Sequence, residues 1–387
     1  MRKLLKWTLR AGLMAFLAAV VVGVWKREEI ARLWAVNTLF DEGRIVENFS
    51  NMERAFLTVP VPRGEGPVSD LPQGPAMVLP EGAAQWIEAR AVTSLVVLHE
   101  GQIVHESYHL GTAPEDRRIS WSMAKSFLSA LFGILEAEGA ITSLDAAVTD
   151  YAPELAGSAY DGVSIRDVLQ MTSGVSFDED YLDYESDINR MGRVLALGGA
   201  MDGFAAGLRA RSGAPGDLWA YVSIDTHVLG MVVRGATGRD IPDLMSEKVI
   251  APLGLEAAPY YLTDGEGVAF VLGGLNMRSR DYARFGLMYE QMGAYGGQQV
   301  VPRDWVRAST GPNAPTPPGA TGYGYQWWVP RGAPEGVFFA RGIYGQYIYV
   351  DQARDVVIVV TAADRQFREA GAHAANVAMM RRIADAL

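Results

Sequence analysis

The chain has 387 residues, of which 49% are hydrophobic and 20% charged, and its formal net charge is −11 at pH 7. This length allows one large domain with an insertion, or two domains, and the acidic balance argues against nucleic-acid binding, which normally needs a basic patch. Because the chain contains no cysteine, disulfides, a thiolate nucleophile and cysteine-based zinc sites are excluded.

The N-terminal 27 residues differ from the rest of the chain. Basic residues precede an uninterrupted apolar run from Ala11 to Trp25, and no acidic residue occurs before Glu28. This layout is typical of a signal peptide or an N-terminal signal anchor. The run ends without an Ala-x-Ala site, which favours an uncleaved anchor. The basic residues are Arg2, Lys3, Lys6 and Arg10.

We therefore predict that residues 4–25 tether the protein to the inner membrane. Basic residues before the apolar run keep the N-terminus cytoplasmic, so the body should be periplasmic or otherwise extracytoplasmic. If the segment is cleaved, the body would be secreted. Residues 28–79 are predicted to form a helical segment and a Pro/Gly-rich linker, and residues 80–387 the main domain.

Residues 94–99 and 103–108 predict two strands joined by a tight turn. The second strand leads into His105-Glu106-Ser107-Tyr108-His109, which matches the His-Glu-x-x-His pattern of zinc peptidases. That pattern binds zinc only on a helix, where both histidines project from one face. On a strand the two histidines lie about 13 Å apart. We therefore expect no metal site here.

Ser122-Met123-Ala124-Lys125 is a Ser-x-x-Lys tetrad at the predicted start of a buried helix that runs to about Glu138. Residues three apart share a helix face, so the Ser122 hydroxyl and the Lys125 amine can meet. A serine nucleophile needs an adjacent base, and burial lowers the pKa of a lysine enough for it to serve. The alternative is that the serine caps the helix and Lys125 reaches solvent.

The region from 164 to 234 combines helices with one irregular segment. Ser164 is a plausible N-cap of a helix that ends before Gly174. Residues 177–187 are acidic and aromatic without periodicity, which is typical either of a lid or binding loop or of a solvated surface loop. Tyr221-Val222-Ser223 follows a Gly/Pro turn and precedes a helix at 224–234.

Strands cluster towards the two ends of the main domain. We predict an α+β fold, an α/β sandwich in which both ends of the chain build one antiparallel sheet with flanking helices. A mostly helical region, about 119–265, is inserted between them. Further helices are predicted at 84–91, 241–249, 279–292, 305–309 and 370–387, and further strands at 323–329, 338–341, 347–350 and 356–361.

The order of three motifs resembles the serine β-lactamase/penicillin-recognising superfamily, in its class C and esterase-like branch. These motifs are the Ser-x-x-Lys tetrad, Tyr221-Val222-Ser223, and Gly342-Ile343-Tyr344-Gly345-Gln346 ahead of a strand. Residues 165–174 and 281–286 look like two further segments of that family. Phe177 to Tyr181 is similar to a segment of the 6-aminohexanoate-dimer hydrolases. The resemblance covers roughly residues 80–387 and implies a β-lactamase-like fold.

The resemblance also implies roles for individual residues. Ser122 would be the acylated nucleophile, and Lys125 and Tyr221 would form a proton relay in which either could be the base. No triad histidine and no cofactor are then needed, and the chain has no Gly-x-Ser-x-Gly elbow.

Substrate contacts are implied in the same way. By analogy, the backbone N–H groups of Ser122 and Gln346 would hold the oxyanion, and glycine at 345 suits a close approach of the substrate. Ser223 replaces the family's usual asparagine, and the family's cationic triad appears as Ile343-Tyr344-Gly345, which argues against a true β-lactamase. The expected substrate-contacting residues are Ser223, Tyr181 and Tyr344.

The resulting expectation is a serine hydrolase that cleaves a small-molecule ester or amide through an acyl-enzyme. One alternative is a D-amino-acid or cell-wall peptidase of the same fold. A rival of another class is a catalytically silent, penicillin-binding-like sensor. Substrate identity and oligomeric state do not follow from these motifs.

Overall fold

The computed structural model describes residues 2–387. Fourteen α-helices occur in the described chain: α1 Arg2–Trp25, α2 Arg27–Asn37, α3 Ile45–Asn48, α4 Ala83–Ala89, α5 Ala124–Ala137, α6 Ile165–Leu169, α7 Asp187–Ala196, α8 Met201–Gly207, α9 Ser223–Thr237, α10 Ile241–Met245, α11 Ala251–Leu253, α12 Ser279–Glu290, α13 Arg303–Thr310 and α14 Ala372–Ala384. Its strands are β1 Leu57–Pro60, β2 Val92–His99, β3 Gln102–Tyr108, β4 Arg118–Ile119, β5 Tyr260–Thr263, β6 Leu275–Met277, β7 Ala294–Tyr295, β8 Gln298–Gln299, β9 Gly322–Tyr323, β10 Trp328–Val329, β11 Val337–Gly342, β12 Gln346–Asp351 and β13 Val356–Ala362.

A seven-stranded sheet in the order β3-β2-β13-β12-β11-β10-β9 forms the centre of the molecule. All its pairs are antiparallel, and β13 pairs with β2, so strands from both ends of the main domain are neighbours inside one sheet. The strands β2 and β13 are almost wholly buried because helices cover both faces of the sheet. The predicted α+β fold with a composite antiparallel sheet is confirmed.

Helix α12 covers one face of the sheet and the helices α4 and α14 the other, and α5 packs against α12, where Phe127 stacks on Phe285. A glycine allows α12 to lie close to the strands, since a Cβ on Gly286 would come within 2.5 Å of Val357 and 2.9 Å of Ile348. On the opposite face, Trp86 of α4 and Met380 of α14 pack in one apolar cluster.

Helix α5 is the buried helix that the sequence predicts. Its residues from Ala124 to Leu135 are all buried, and a 3-10 turn, Trp121–Met123, precedes it. A Cβ on Gly133 would overlap the ring of Trp305, so this glycine lets α13 pack directly on α5.

A second sheet in the order β1-β5-β6-β4 is not among the sequence-based predictions. Its strands are short, and β1 pairs with β5 about two hundred residues further along the chain. Strand β4 ends at Ile119, and the N–H of Ser120 donates to the carbonyl of Leu275. This sheet therefore holds the chain immediately before the Ser122 turn.

The prediction of one continuous strand over 323–329 is wrong. The segment is a tight hairpin in which Trp328 of β10 pairs with Tyr323 of β9. Gln326 takes a positive φ of 64° at the bend, and the hydroxyls of Ser126 and Ser129 donate to the carbonyls of Gln326 and Tyr325. Two serines of α5 thus stabilise a turn that interrupts the apolar pattern of the strand.

The N-terminal region contains one described helix, Lys6–Trp25 within α1, that is long and apolar enough to cross a membrane. Helix α2 follows after Lys26, and it packs on α7 near the Ser122 turn. Ser164 caps α6 as predicted, since its side chain accepts from the N–H of Asp167. Residues 177–186 form an irregular loop between α6 and α7.

Candidate active site

Ser122 lies on the 3-10 turn that leads into α5, between the end of β4 and the end of β11. Its neighbour Trp121 has a positive φ of 44°, a conformation that costs a non-glycine residue energy unless its surroundings enforce it. A Cβ on Gly342, at the end of β11, would overlap the carbonyl oxygen of Ser120. Glycine at 342 therefore allows the last residues of β11 to approach the serine turn closely.

Lys125 is 1% exposed and points into the protein. Its Nζ donates to the carbonyls of Leu272 at 3.1 Å and Ser223 at 3.4 Å. Desolvation by burial lowers the pKa of Lys125 to about 7, although the negative charges of Glu179 and Asp225 act to raise it. The neutral amine is therefore well populated near neutral pH, and the alternative in which Lys125 reaches solvent does not hold.

Tyr221 packs its ring on Trp328, with ring centroids 5.4 Å apart. The Nζ of Lys125 lies 5.5 Å from the centroid of the Tyr221 ring. Burial raises the pKa of Tyr221, as does the charge of Glu179, while an interaction with the Ser122 hydroxyl partly lowers it. The structure thus brings Ser122, Lys125 and Tyr221 together, with the phenol in its protonated form.

Glu179 is a fourth ionisable group at the site, and the sequence-based predictions do not include it. Its carboxylate accepts from the N–H of Ser223, from the Ser223 hydroxyl at 3.1 Å and from the Tyr181 hydroxyl at 3.2 Å. Burial raises its pKa, and the Ser223 N–H and the charge of Lys125 act against that rise. The only signal for Glu179 in the sequence is its position in an acidic, aromatic loop.

Asp225 lies behind the lysine and is fully buried. It accepts hydrogen bonds from the Tyr160 hydroxyl at 2.6 Å and the Ser173 hydroxyl at 2.9 Å. Burial raises the pKa of Asp225 to about 8. At neutral pH Asp225 is therefore largely protonated, and it raises the pKa of Lys125 only when it is ionised.

Three of the expected substrate-contacting residues surround Ser122. Ser223 and Tyr181 line the space in front of it, although both hydroxyls are bonded to Glu179. Tyr344 also lines this space, and its ring stacks on Phe40 with centroids 5.0 Å apart. A residue from the N-terminal region thus contributes to the wall of the site.

The two remaining expected residues, Gln346 and Gly345, line neither of the cavities that reach Ser122. The amide of Gln346 donates to the carbonyl of Ala362 at 2.7 Å and accepts from its N–H at 3.1 Å. Gly345 has a positive φ of 88°, and a Cβ there would lie 3.0 Å from that of Ala362. Both residues therefore join β12 to β13, and Gly342 and Ile343 are the residues of this segment that line the smaller cavity with Ser122.

Two cavities meet at Ser122. The larger, of about 420 Å³, has a mainly apolar wall that includes Phe40, Tyr181 and Tyr344. The smaller, of about 260 Å³, is lined by polar and charged groups as well as aromatic rings. Its lining includes Glu179, Tyr221, Trp328, Arg341 and Arg368.

The His-Glu-x-x-His segment lies on β3 and the residue after it, as the sequence predicts for a strand. The Ser107 hydroxyl lies 3.0 Å from Nε2 of both His105 and His109. Among the described residues, no group of three or more His, Asp or Glu side chains is arranged to hold a metal ion.

Comparison with known proteins gives consistent matches over this region. The Beta-lactamase family matches residues 83–379. A 6-aminohexanoate-dimer hydrolase of Paenarthrobacter ureafaciens is 33% identical over 291 residues, which cover 71% of this chain and 73% of that protein.

Solved structures share the fold. A protein of Bacillus anthracis, provisionally named a 6-aminohexanoate-dimer hydrolase, superposes with a TM-score of 0.78 at 23% identity, covering 89% of this chain and 95% of its own. EstCE1, a hydrolase with promiscuous acyltransferase activity, superposes with a TM-score of 0.58 at 15% identity, covering 79% and 96% of the two chains. At these identities the superpositions establish a common architecture.

Proposed function

The chain belongs to the beta-lactamase family and is a serine hydrolase, and we propose that it cleaves a small ester or amide through an acyl-enzyme on Ser122. The observation that carries this proposal is the cluster in which the partly buried Tyr221 lies between Ser122 and the buried amine of Lys125. The named hydrolase relative, which is 33% identical, supports an amide or ester as the scissile group.

The first step is the attack of the Ser122 Oγ on the substrate carbonyl. The Ser122 proton passes to the Tyr221 phenol oxygen as the phenol proton passes to the neutral amine of Lys125. Tyr221 serves as a relay and not as the resting base, because burial raises its pKa, whereas burial lowers the pKa of Lys125 to about 7. A base whose pKa lies near the working pH is the most effective one.

The tetrahedral intermediate needs hydrogen-bond donors for its oxyanion. The backbone N–H of Ser122 is one candidate, and we assign the second to Ile343, because Ile343 lines both cavities at Ser122. When the bond to the leaving group breaks, Tyr221 returns a proton to the departing oxygen or nitrogen. Water then hydrolyses the acyl-serine ester by the same relay and frees Ser122.

The body of the protein is proposed to work outside the inner membrane, tethered by α1. The apolar length of Lys6–Trp25 supports a span, and the basic residues before it favour a cytoplasmic N-terminus.

Covalent labelling tests the function. The full chain, purified in detergent, should react with a fluorophosphonate, and mass spectrometry should place the adduct on Ser122. Ser122→Ala should lose the label. Lys125→Met, which keeps the length of the buried side chain without the amine, should slow labelling and p-nitrophenyl acetate turnover by roughly 100-fold or more.

Ser126→Ala is the matched control, since Ser126 is a buried serine on the same helix whose hydroxyl donates to the Gln326 carbonyl at 2.8 Å. It should keep the label and the turnover. A wild-type protein that neither labels nor turns over the ester would support the silent sensor instead. Normal rates in Lys125→Met would remove the lysine from the mechanism.

A further inference from the structure

The larger cavity at Ser122 is suited to an apolar ligand group. Its volume of about 420 Å³ lies in the range of about 300–1,000 Å³ typical of ligand pockets. Water in an apolar space of this kind lacks hydrogen-bond partners, so an apolar ligand group is favoured. Besides Tyr181 and Tyr344, its wall includes apolar side chains from three further parts of the chain: Leu39 and Phe40 before α3, Ile188 and Met191 on α7, and Leu262 and Phe270 around β5 and β6.

The position of Tyr221 indicates which part of the substrate enters which cavity. In the proposed mechanism Tyr221 returns a proton to the leaving group, so the leaving group must lie on the side of the phenol. Tyr221 lines the smaller cavity together with Arg341, and it does not line the larger one. The acyl group therefore extends into the larger, apolar cavity.

We infer that the substrate is an ester or amide of a long apolar acyl chain, with a polar alcohol or amine part. This inference rests on the proposed function. The Ser122 Oγ forms a bond to the acyl carbon, the bond to the alcohol or amine breaks, and that group departs with the proton from Tyr221. Water then releases the long-chain carboxylic acid and restores the serine hydroxyl.

Exposed apolar side chains around the cavity support a ligand that partitions into membranes. Phe40, Leu182 and Tyr184 line the cavity, yet they are 40%, 84% and 67% exposed. An exposed apolar patch beside a pocket is typical of an interaction site. Val36, also on the wall, is on α2, which begins directly after α1 and Lys26. At a helical rise of about 1.5 Å per residue it lies within about 17 Å of Trp25, so the cavity is close to the apolar helix α1.

A chain-length series tests the inference. With the full chain in one detergent, kcat/KM is measured for p-nitrophenyl acetate, butyrate, octanoate and decanoate. We expect kcat/KM to rise by about two- to fourfold for each added methylene until the chain fills the cavity.

Gly192→Phe tests the location of the chain. Gly192 lines the cavity, and a Cβ there meets nothing within 4 Å, so a larger side chain can occupy the space. The variant should lower the decanoate-to-acetate ratio of kcat/KM at least tenfold. This ratio is taken within one preparation, so it does not depend on the folded fraction. Gly203→Phe, on α8 and outside the cavity lining, is the control and should leave the ratio unchanged.

The outcomes separate this inference from the function on which it rests. If kcat/KM rises with chain length and Gly192→Phe removes that rise, the result supports both the acyl-chain inference and the proposed function. Ser122-dependent acetate hydrolysis with no chain-length preference, or a preference that Gly192→Phe leaves intact, overturns the acyl-chain assignment and leaves the hydrolase. Absence of both turnover and Ser122 labelling overturns the proposed function, and this inference with it.

Discussion

Lys125 is neutral or charged according to two opposing effects of its surroundings. Burial disfavours the ammonium form, while the carboxylates of Glu179 and Asp225 favour it. Neither carboxylate forms a hydrogen bond with Lys125. Its Nζ donates instead to the backbone carbonyls of Leu272 and Ser223. The pKa of Lys125 is therefore set by groups that take no part in the proposed proton relay.

A pH–rate profile checks this arrangement. In the proposed mechanism the neutral amine of Lys125 is the active form, so kcat/KM for an ester should rise with pH and level off above the pKa of Lys125, about 7. In Glu179→Gln a negative charge that raises this pKa is lost. The pKa should therefore fall, and the rise should move to lower pH by about one unit.

Glu185→Gln is the matched control for the charge. Glu185 lies in the same loop, and its side chain is 76% exposed. Removal of its charge should therefore leave the pH–rate profile unchanged. A shift to higher pH in Glu179→Gln, or no shift, would show that this carboxylate does not act on the base.

At the scale of elements, the site is held by close packing of helices on the central sheet. Helix α12 rests on β12 and β13 through Gly286, where a Cβ would lie 2.5 Å from Val357. The same sheet carries β11, whose end at Gly342 borders the Ser122 turn. Displacement of α12 would therefore disturb the framework on which the site is built.

Gly286→Ala should lower the free energy of unfolding by about 1–3 kcal/mol, the usual cost of overpacking a dense core. Gly203→Ala on α8 is the comparison, since its new Cβ would meet only Ala200 at 3.9 Å. There alanine should be neutral or stabilising by up to about 1 kcal/mol, because it has the higher helix propensity. Denaturant unfolding of the full chain measures both, and equal effects would contradict the packing argument.

The loop at 177–186 is the element that the sequence could least define. Glu179 and Tyr181 enter the site, whereas Leu182 and Tyr184 of the same loop are exposed at the cavity mouth. Of the two interpretations of this segment, the contacts favour a binding loop. No periodicity marks it, because its side chains alternate between site and solvent without a helix or strand to order them.

For the molecule as a whole, the relation to the membrane is open to a direct test. If α1 is an anchor, the protein should stay with membranes after extraction with alkaline carbonate. Leu17→Arg places a charge in the middle of the apolar helix, at a cost of about 2.5–3.5 kcal/mol, and should move protein to the soluble fraction.

Val78→Arg is the control, because Val78 is 88% exposed in a loop outside α1. It should leave the distribution unchanged. Release of the wild-type protein by carbonate would mean that α1 does not span the membrane.

By itself, the sequence determined the features that depend on near neighbours. The spacing of Ser122 and Lys125, the apolar character of α5, the paired strands β2 and β3 and the apolar helix at the N-terminus all follow from local periodicity. The order of motifs was also enough for the family, since the fold and the family match agree with it.

Only the tertiary structure decided which distant groups meet at the serine. Glu179 accepts a hydrogen bond from Ser223, Ile343 lines the cavities at Ser122, and Phe40 lines the apolar cavity, each across a long separation in the chain. Residues with no shared local pattern come together here because the packing of sheet, loop and N-terminal helices brings them close. Contacts of that kind leave no periodic pattern in a sequence, so neither the electrostatic effects on Lys125 nor the shape of the apolar cavity could be predicted from it.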